Sequence, residues 1–300
     1  MLSAFHLLLS YKCTLACDHC FLYSAPSARG TMTIGLITGV LDESQKLGTI
    51  KDIYFEGGEP FLFYALMIEG IRQTRERGFK AGIVTNGYWA TSVEDAKLWL
   101  KPVLALGVSD LTISDDELHH GDVVQSPGKN ALAAAQQMGV PSSALRKSKP
   151  EVVKCSTGGQ EKGTPEISGG IKMRGRAVEK FAKGLPTRRR AELVRCPYEA
   201  LAEPARVHLD AYGNVQVCQG ISIGNFLEKP LSAIVKDYDP QRHPICGPLL
   251  RGGPIRLVEE YGLDLPGEHI DECHLCFAAR LALLDKFPEY LAPRQVYGLG

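Results

Sequence analysis

Cys13, Cys17 and Cys20 stand in a C-x-x-x-C-x-x-C spacing directly after the apolar run Phe5 to Tyr11. Three thiols are an informative number. A structural zinc site or a closed four-iron cluster takes four protein ligands, so three leave one metal position open for chemistry. Five more thiols, Cys196, Cys218, Cys246, Cys273 and Cys276, come late in the chain, and Cys273-x-x-Cys276 is a metal-type pair. Cys155 stands apart from both sets and reads as a free thiol. An odd total of nine, mostly in close sets, suits metal thiolates in a reducing compartment better than a disulfide framework, so the expected location is cytoplasmic.

Such a loop needs a strand to deliver it. Phe5 to Tyr11 carries no Gly or Pro and reads as a buried first strand. A helix over Met32 to Leu47, stopped by Gly48, leads to a strand at Asp52 to Phe55 and the turn Gly57-Gly58-Glu59-Pro60. The alternation continues with a helix from Phe61 to Gly78, a strand from Ala81 to Thr85, a helix from Ser92 to Leu106, a strand at Asp110 to Ser114 and a helix at Ala131 to Met138. Ser142 to Gly170 reads mainly as a long loop over the site, with a fifth strand near Ser143 to Lys147 and a sixth near Ile171 to Arg174. Five or six βα units are too few for a closed eight-stranded barrel, so the expected fold is α/β, an open, partial (βα)6 TIM-type barrel. In parallel α/β folds the loops leaving the C-terminal strand ends carry catalytic groups, which is where the three thiols would fall.

The three-cysteine spacing resembles the signature of the radical S-adenosylmethionine (SAM) superfamily. An aromatic residue usually precedes the third cysteine there, and His19 holds that place. Gly57-Gly58-Glu59-Pro60, one βα unit later, resembles the family's GGE motif. The resemblance implies a [4Fe-4S] cluster on Cys13, Cys17 and Cys20, with SAM on its fourth iron. It also implies that Gly57, Gly58, Glu59 and Pro60 contact the SAM amino group, and that Asn86, Ser114 and Asp116 lie where relatives contact the ribose. Asn86 and Ser114 have an equally good reading as strand-end caps and turns. His119 and His120 read as surface histidines, with a substrate-facing role the alternative. Reductive cleavage of SAM to a 5′-deoxyadenosyl radical, followed by hydrogen abstraction from a substrate, is the implied chemistry, with a reductant such as ferredoxin or flavodoxin as partner.

Gly184, Pro186 and Arg188-Arg189-Arg190 mark an expected boundary, giving a barrel over 1–185 and a smaller C-terminal domain over 186–300. In the latter, Arg206 to Asp210 and Asn214 to Cys218 flank Ala211-Tyr212-Gly213 as a β-hairpin, and Phe277 to Phe287 is a closing helix. Asp210 to Cys218 followed by Ile223-Gly224-Asn225 resembles the auxiliary-cluster region of SPASM and twitch proteins. That likeness implies a further [4Fe-4S] cluster, with Cys196, Cys218, Cys273 and Cys276 as favoured ligands and Cys246 a substitute or substrate-facing residue. Structural zinc on the same thiols is the alternative. Relatives with such extensions often modify peptides or proteins, so a peptide or protein side chain is the expected substrate, with a small molecule the alternative. Only twelve residues precede Cys13, so no N-terminal peptide-recognition domain is expected. A reading of a different class is a non-catalytic iron–sulfur electron carrier or cluster-delivery protein, which would supply four ligands per cluster and need no SAM pocket.

The balance of 34 basic and 34 acidic residues argues against nucleic acid or an anionic membrane as partner, and no apolar stretch is long enough to span a bilayer. The arginine run reads as a solvated linker.

Overall fold

The computed structural model describes residues 1–154 and 165–300. Cys155 lies outside the described residues.

The chain opens as strand β1 (Ala4–Ser10), helix α1 (Ile34–Leu47), β2 (Asp52–Gly57), a short 3-10 turn (Pro60–Phe63) and α2 (Tyr64–Glu76). It continues with β3 (Lys80–Thr85), α3 (Val93–Ala105), β4 (Asp110–Ser114), the one-turn α4 (Glu117–His120), α5 (Pro127–Met138) and β5 (Ser142–Leu145). These five strands pair in parallel in the order 1-2-3-4-5, the sequential order of a (βα) barrel rather than of a doubly wound sheet. Their ends are set by local chemistry: Thr33 caps α1 through its side chain at Leu36 N, and Gly48 terminates it in the left-handed region.

Beyond β5 come the small hairpin β6 (Val152–Lys154) with β7 (Pro165–Ile167), and α6 (Arg176–Phe181). β5 falls near the expected fifth strand, and the stretch expected to be mainly a long loop carries this hairpin as well. Ile171 to Arg174, expected as the sixth strand, is irregular. The sixth parallel strand is instead β8 (Arg206–Leu209), which pairs with β1 on its far side, and β9 (Asn214–Cys218) and β10 (Ile221–Asn225) extend the same sheet antiparallel. The result is an open, partial barrel of α/β type whose eight-stranded sheet continues across residue 185. The last helices are α7 (Leu231–Asp237), α8 (Cys246–Glu260), kinked at Gly252 and Gly253, and α9 (Glu272–Leu283). The closing helix starts earlier than expected because Asp271 caps it at His274 N, which puts Cys273 and Cys276 in its first turns.

The two faces of the sheet differ. Phe5 and Leu7 of β1 pair with Ile53 and Phe55 of β2, all fully buried, and a Cβ on Gly70 of α2 would lie 2.6 Å from the Phe55 ring. That face carries the helices. His6, Leu8, Tyr54 and Glu56 alternate onto the opposite, inner face. Among the described residues, no helix is long and apolar enough to cross a membrane.

Candidate active site

Cys13 to Cys20 lie in the loop that leaves β1. Its base is pinned by backbone bonds from Tyr11 N to Gly30 O (3.0 Å) and Cys13 N to Ala25 O (3.1 Å). The buried Tyr11 hydroxyl donates to Asp210 at 2.9 Å, tying the loop to the β8–β9 turn. Burial pushes the Cys13 thiol up to about 11 and Cys17 up to about 12, and the neighbouring thiols add to both shifts. Such thiols stay protonated at neutral pH until a cation stabilises the thiolates, so loading a metal here releases protons.

The ends of β2, β3 and β4 frame this loop. Gly58 N donates to Ser10 O at 2.6 Å and Glu59 N to Lys12 O at 3.0 Å. A Cβ on Gly58 would lie 2.2 Å from Lys12 O, and one on Gly57, at φ +126°, 2.5 Å from Ser10 O. The close approach these glycines permit is therefore to the backbone entering the thiol loop, where the sequence suggested approach to a ligand. Glu59 is fully buried, with Oε1 accepting from Phe61 N (3.0 Å) and the Thr85 hydroxyl (2.8 Å) and Oε2 from Asn86 N (2.8 Å). Its carboxylate joins the ends of β2 and β3. Pro60 sits at the start of the 3-10 turn, where its missing N–H costs nothing.

Asn86 reaches the thiols themselves: its Nδ2 donates to Thr14 Oγ1 at 3.1 Å and to Cys13 Sγ at 3.5 Å. Ser114 ends β4 and is buried. Asp116 caps α4, accepting at Oδ1 from Leu118 N and His119 N (3.1 Å each), and takes Lys147 N on Oδ2 at 2.9 Å. His119 Nδ1 lies 2.7 Å from Asp116, and its ring meets His19 edge-on at 4.7 Å. Burial, reinforced by His119, pushes His19 down to about 4, so the residue beside the third cysteine is neutral. His119 and His120, the latter's Nε2 3.1 Å from Ser114 O, belong to the rim and are not free surface histidines.

Two arginines that sequence reasoning passed over hold this loop from the other side. Arg176 N donates to Cys20 O (3.0 Å), and its guanidinium spans Cys17 O (2.7 Å) and Ser24 O (3.0 Å). Arg174 lies over the Phe21 ring at 5.1 Å and donates through Nη1 to Cys218 Sγ at 3.0 Å. One side chain thus touches both the first thiol loop and the second thiol set. The available signal was two arginines at i and i+2 around Gly175, the first of them at the end of the stretch expected as the sixth strand.

Cys196, Cys218, Cys273 and Cys276 line one recess together with Arg174 and Arg280. Burial pushes Cys276 up to about 11 and raises Cys196 and Cys273 as well. Cys246 is fully buried on α8, where burial pushes it up to about 12. The thiols and the two arginines suit an anionic, thiolate-held group. Two buried guanidiniums border the recess, and Arg174 Nε has no acceptor. Arg174 Nη1 lies 3.6 Å from Glu199 Oε1, and a thiolate-held cluster would add negative charge and sulfur acceptors beside it.

Residues 7–141 match the radical SAM superfamily. A Bacillus subtilis (strain 168) protein named for peptide biosynthesis, YydG, is 33% identical over 124 residues, covering 41% of this chain and 39% of that protein. The tungsten-containing aldehyde ferredoxin oxidoreductase cofactor-modifying protein of Pyrococcus furiosus is 34% identical over 114 residues, covering 38% of this chain and 30% of that protein. The matches span two fifths or less of these curated relatives. Among solved structures, BtrN in an open conformation aligns at a TM-score of 0.46 and 16% identity, covering 78% of this chain and 79% of that one. The matched residues contain the three-thiol loop, the Gly57–Pro60 turn, Asn86, Ser114 and Asp116.

Proposed function

We propose that the protein is a radical SAM enzyme that abstracts hydrogen from a peptide or protein side chain. The observation that carries the reading is the three-thiol loop lying over the ends of four parallel strands, gripped by Asn86 on one side and Arg176 on the other. Cys13, Cys17 and Cys20 would hold a [4Fe-4S] cluster. When bound, that group supplies the electron that splits SAM into methionine and a 5′-deoxyadenosyl radical.

The chain's own residues bind and orient. Gly57 and Gly58 let β2 close onto the loop, and Glu59 fixes the rim that would meet the SAM amine through the Gly57–Pro60 turn. Asn86 and Ser114 stand at the neighbouring strand ends, where they would meet the rest of SAM, while Asp116 orders α4 and His19 through His119. Neutral His19 adds no positive charge beside the cluster. Cys196, Cys218, Cys273 and Cys276, in the 186–300 part of the chain, would hold an auxiliary cluster. Arg174 supports that pairing by linking the two thiol sets. The relative named for peptide biosynthesis supports a peptide substrate, and a small reductant such as ferredoxin or flavodoxin would supply the electron.

Anaerobic reconstitution followed by incubation with SAM and a strong reductant tests the reading. The expected result is about eight irons per chain, with 5′-deoxyadenosine formed and then lost in Cys17→Ala. Full iron loading with no SAM cleavage would favour a carrier instead, and zinc in the second set in place of iron would remove the auxiliary cluster.

A further inference from the structure

On the inner face of the sheet, three side chains converge that the thiol chemistry does not use. His6 of β1, Glu56 of β2 and His208 of β8 sit on three adjacent strands, His6 in register with His208 and one pleat from the partner of Glu56. His6 Nδ1 and His208 Nε2 both point at Glu56 Oε1, at 3.3 and 3.1 Å. The three ligand atoms lie within 4.8 Å of one another, the one such group of His, Cys, Asp and Glu side chains among the described residues. We propose that His6, Glu56 and His208 form a divalent transition-metal site of the zinc class, with an open coordination position facing the inside of the barrel.

Three observations support it. The first is distance: ligand atoms about 2.1 Å from one metal stand about 3.0 to 3.4 Å apart at octahedral to tetrahedral angles, and both contacts to Glu56 fall in that interval. The second is satisfaction. His6 Nδ1 is a buried atom with no hydrogen-bond partner, because its approach to Glu56 lacks hydrogen-bond geometry. A nitrogen aimed at a shared oxygen without bonding to it suits a ligand sharing a third atom. The third is preorganisation. The His6 ring stacks on Tyr54 at 4.6 Å and 10°, and the backbone at all three positions is held by β-ladders. The side chains are 14%, 17% and 8% exposed, low enough to exclude bulk water and open enough for entry.

Two imidazoles and one carboxylate are the donor set of catalytic zinc and of non-haem iron, and three protein ligands leave room for a substrate oxygen or nitrogen. Gln219 adjoins the site, its Nε2 3.4 Å from His208 Nε2, while its backbone carbonyl accepts from Arg280 at 2.8 Å. Gln219, which adjoins the site, directly follows Cys218 of the second thiol set. The site does not depend on SAM cleavage, since its ligands are distinct from every thiol.

The test must separate this site from the cysteines, which also bind zinc. Protein reconstituted with iron and sulfide would receive one equivalent of Zn²⁺ and be examined by zinc K-edge X-ray absorption and metal analysis. The expected result is one zinc per chain with a first shell of nitrogen and oxygen at about 2.0–2.1 Å. Glu56→Gln and His6→Ala should each lower zinc retention at least tenfold with iron and sulfide unchanged. A sulfur shell near 2.3 Å, no retained zinc in the cluster-loaded protein, or undiminished retention in both variants would each overturn the proposal. Failure of SAM cleavage with an intact nitrogen–oxygen zinc shell would count against the proposed function and leave this site standing.

Discussion

Glu59 shows how a residue can be found by its motif while its work differs from the one the motif suggests. Burial pushes its carboxyl from 4.5 up to about 7, against the pull of the donors Asn86 N, Phe61 N and Thr85 Oγ1. A carboxyl raised on folding binds more protons in the folded state. Its contribution is therefore fully present below the unfolded value and lost as pH rises through about 7, by on the order of 3 kcal/mol at most. The urea midpoint of the metal-free protein should fall as pH rises from about 5 to about 8, and Glu59→Gln should flatten that slope. The glutamine amide would set a second donor against Asn86 N, costing about 1–3 kcal/mol at acid pH. An unchanged slope in the variant would show that another group titrates. The thiols, Asn86 and the Gly-Gly-Glu-Pro turn were legible because their types and order are visible along the chain. Arg174 and Arg176 were not, because their partners are carbonyls and a sulfur far away in sequence, and nothing local marks an arginine as buried.

At the level of elements, alternating strand and helix patterns located β1 to β5 and most of their helices, since each carries its own periodicity and stop signals. The pairing of β8 with β1 left no local trace. A short strand such as Arg206–Leu209 fits a hairpin edge or a parallel neighbour equally well, and only β1's unfilled side decides. The Gly58 contact gives this scale its prediction. β1 and β2 end against one another so closely that a methyl group there meets backbone oxygen, which cannot rotate away. Gly58→Ala should lower the melting temperature and cut 5′-deoxyadenosine formation more than tenfold. Gly35→Ala in α1, whose nearest neighbour would be 3.9 Å away, should be neutral or slightly stabilising. Equal melting temperatures for the two variants would mean that the strand ends separate freely.

For the whole molecule the question is whether the barrel part stands alone. Gly184, Pro186 and the arginine run pointed to a boundary, and the composition there does change. The sheet crosses it. β1, which carries the thiol loop, is flanked by β2 on one side and β8 on the other, and one hydrophobic core includes Phe5 and Leu7 together with Leu209, Val215 and Leu275. Side chains add to the tie: Tyr11 bonds Asp210, Glu43 of α1 accepts from the Ser232 hydroxyl of α7 at 2.6 Å, and Arg174 reaches Cys218. A chain ending at residue 185 would expose the backbone edge of an apolar strand, a template for aggregation, and would leave the Arg174 guanidinium without its sulfur partner. Residues 1–185 expressed alone should therefore be insoluble or cleaved by protease under conditions where the full chain resists, and should not load iron on Cys13, Cys17 and Cys20. Cooperative unfolding of that fragment with about four irons bound would show that the three-thiol loop is positioned by β1 to β5 alone. The expected outcome follows from the pairing order, because the strand that delivers the chemistry is held on both sides and one of those sides comes from the C-terminal part of the chain.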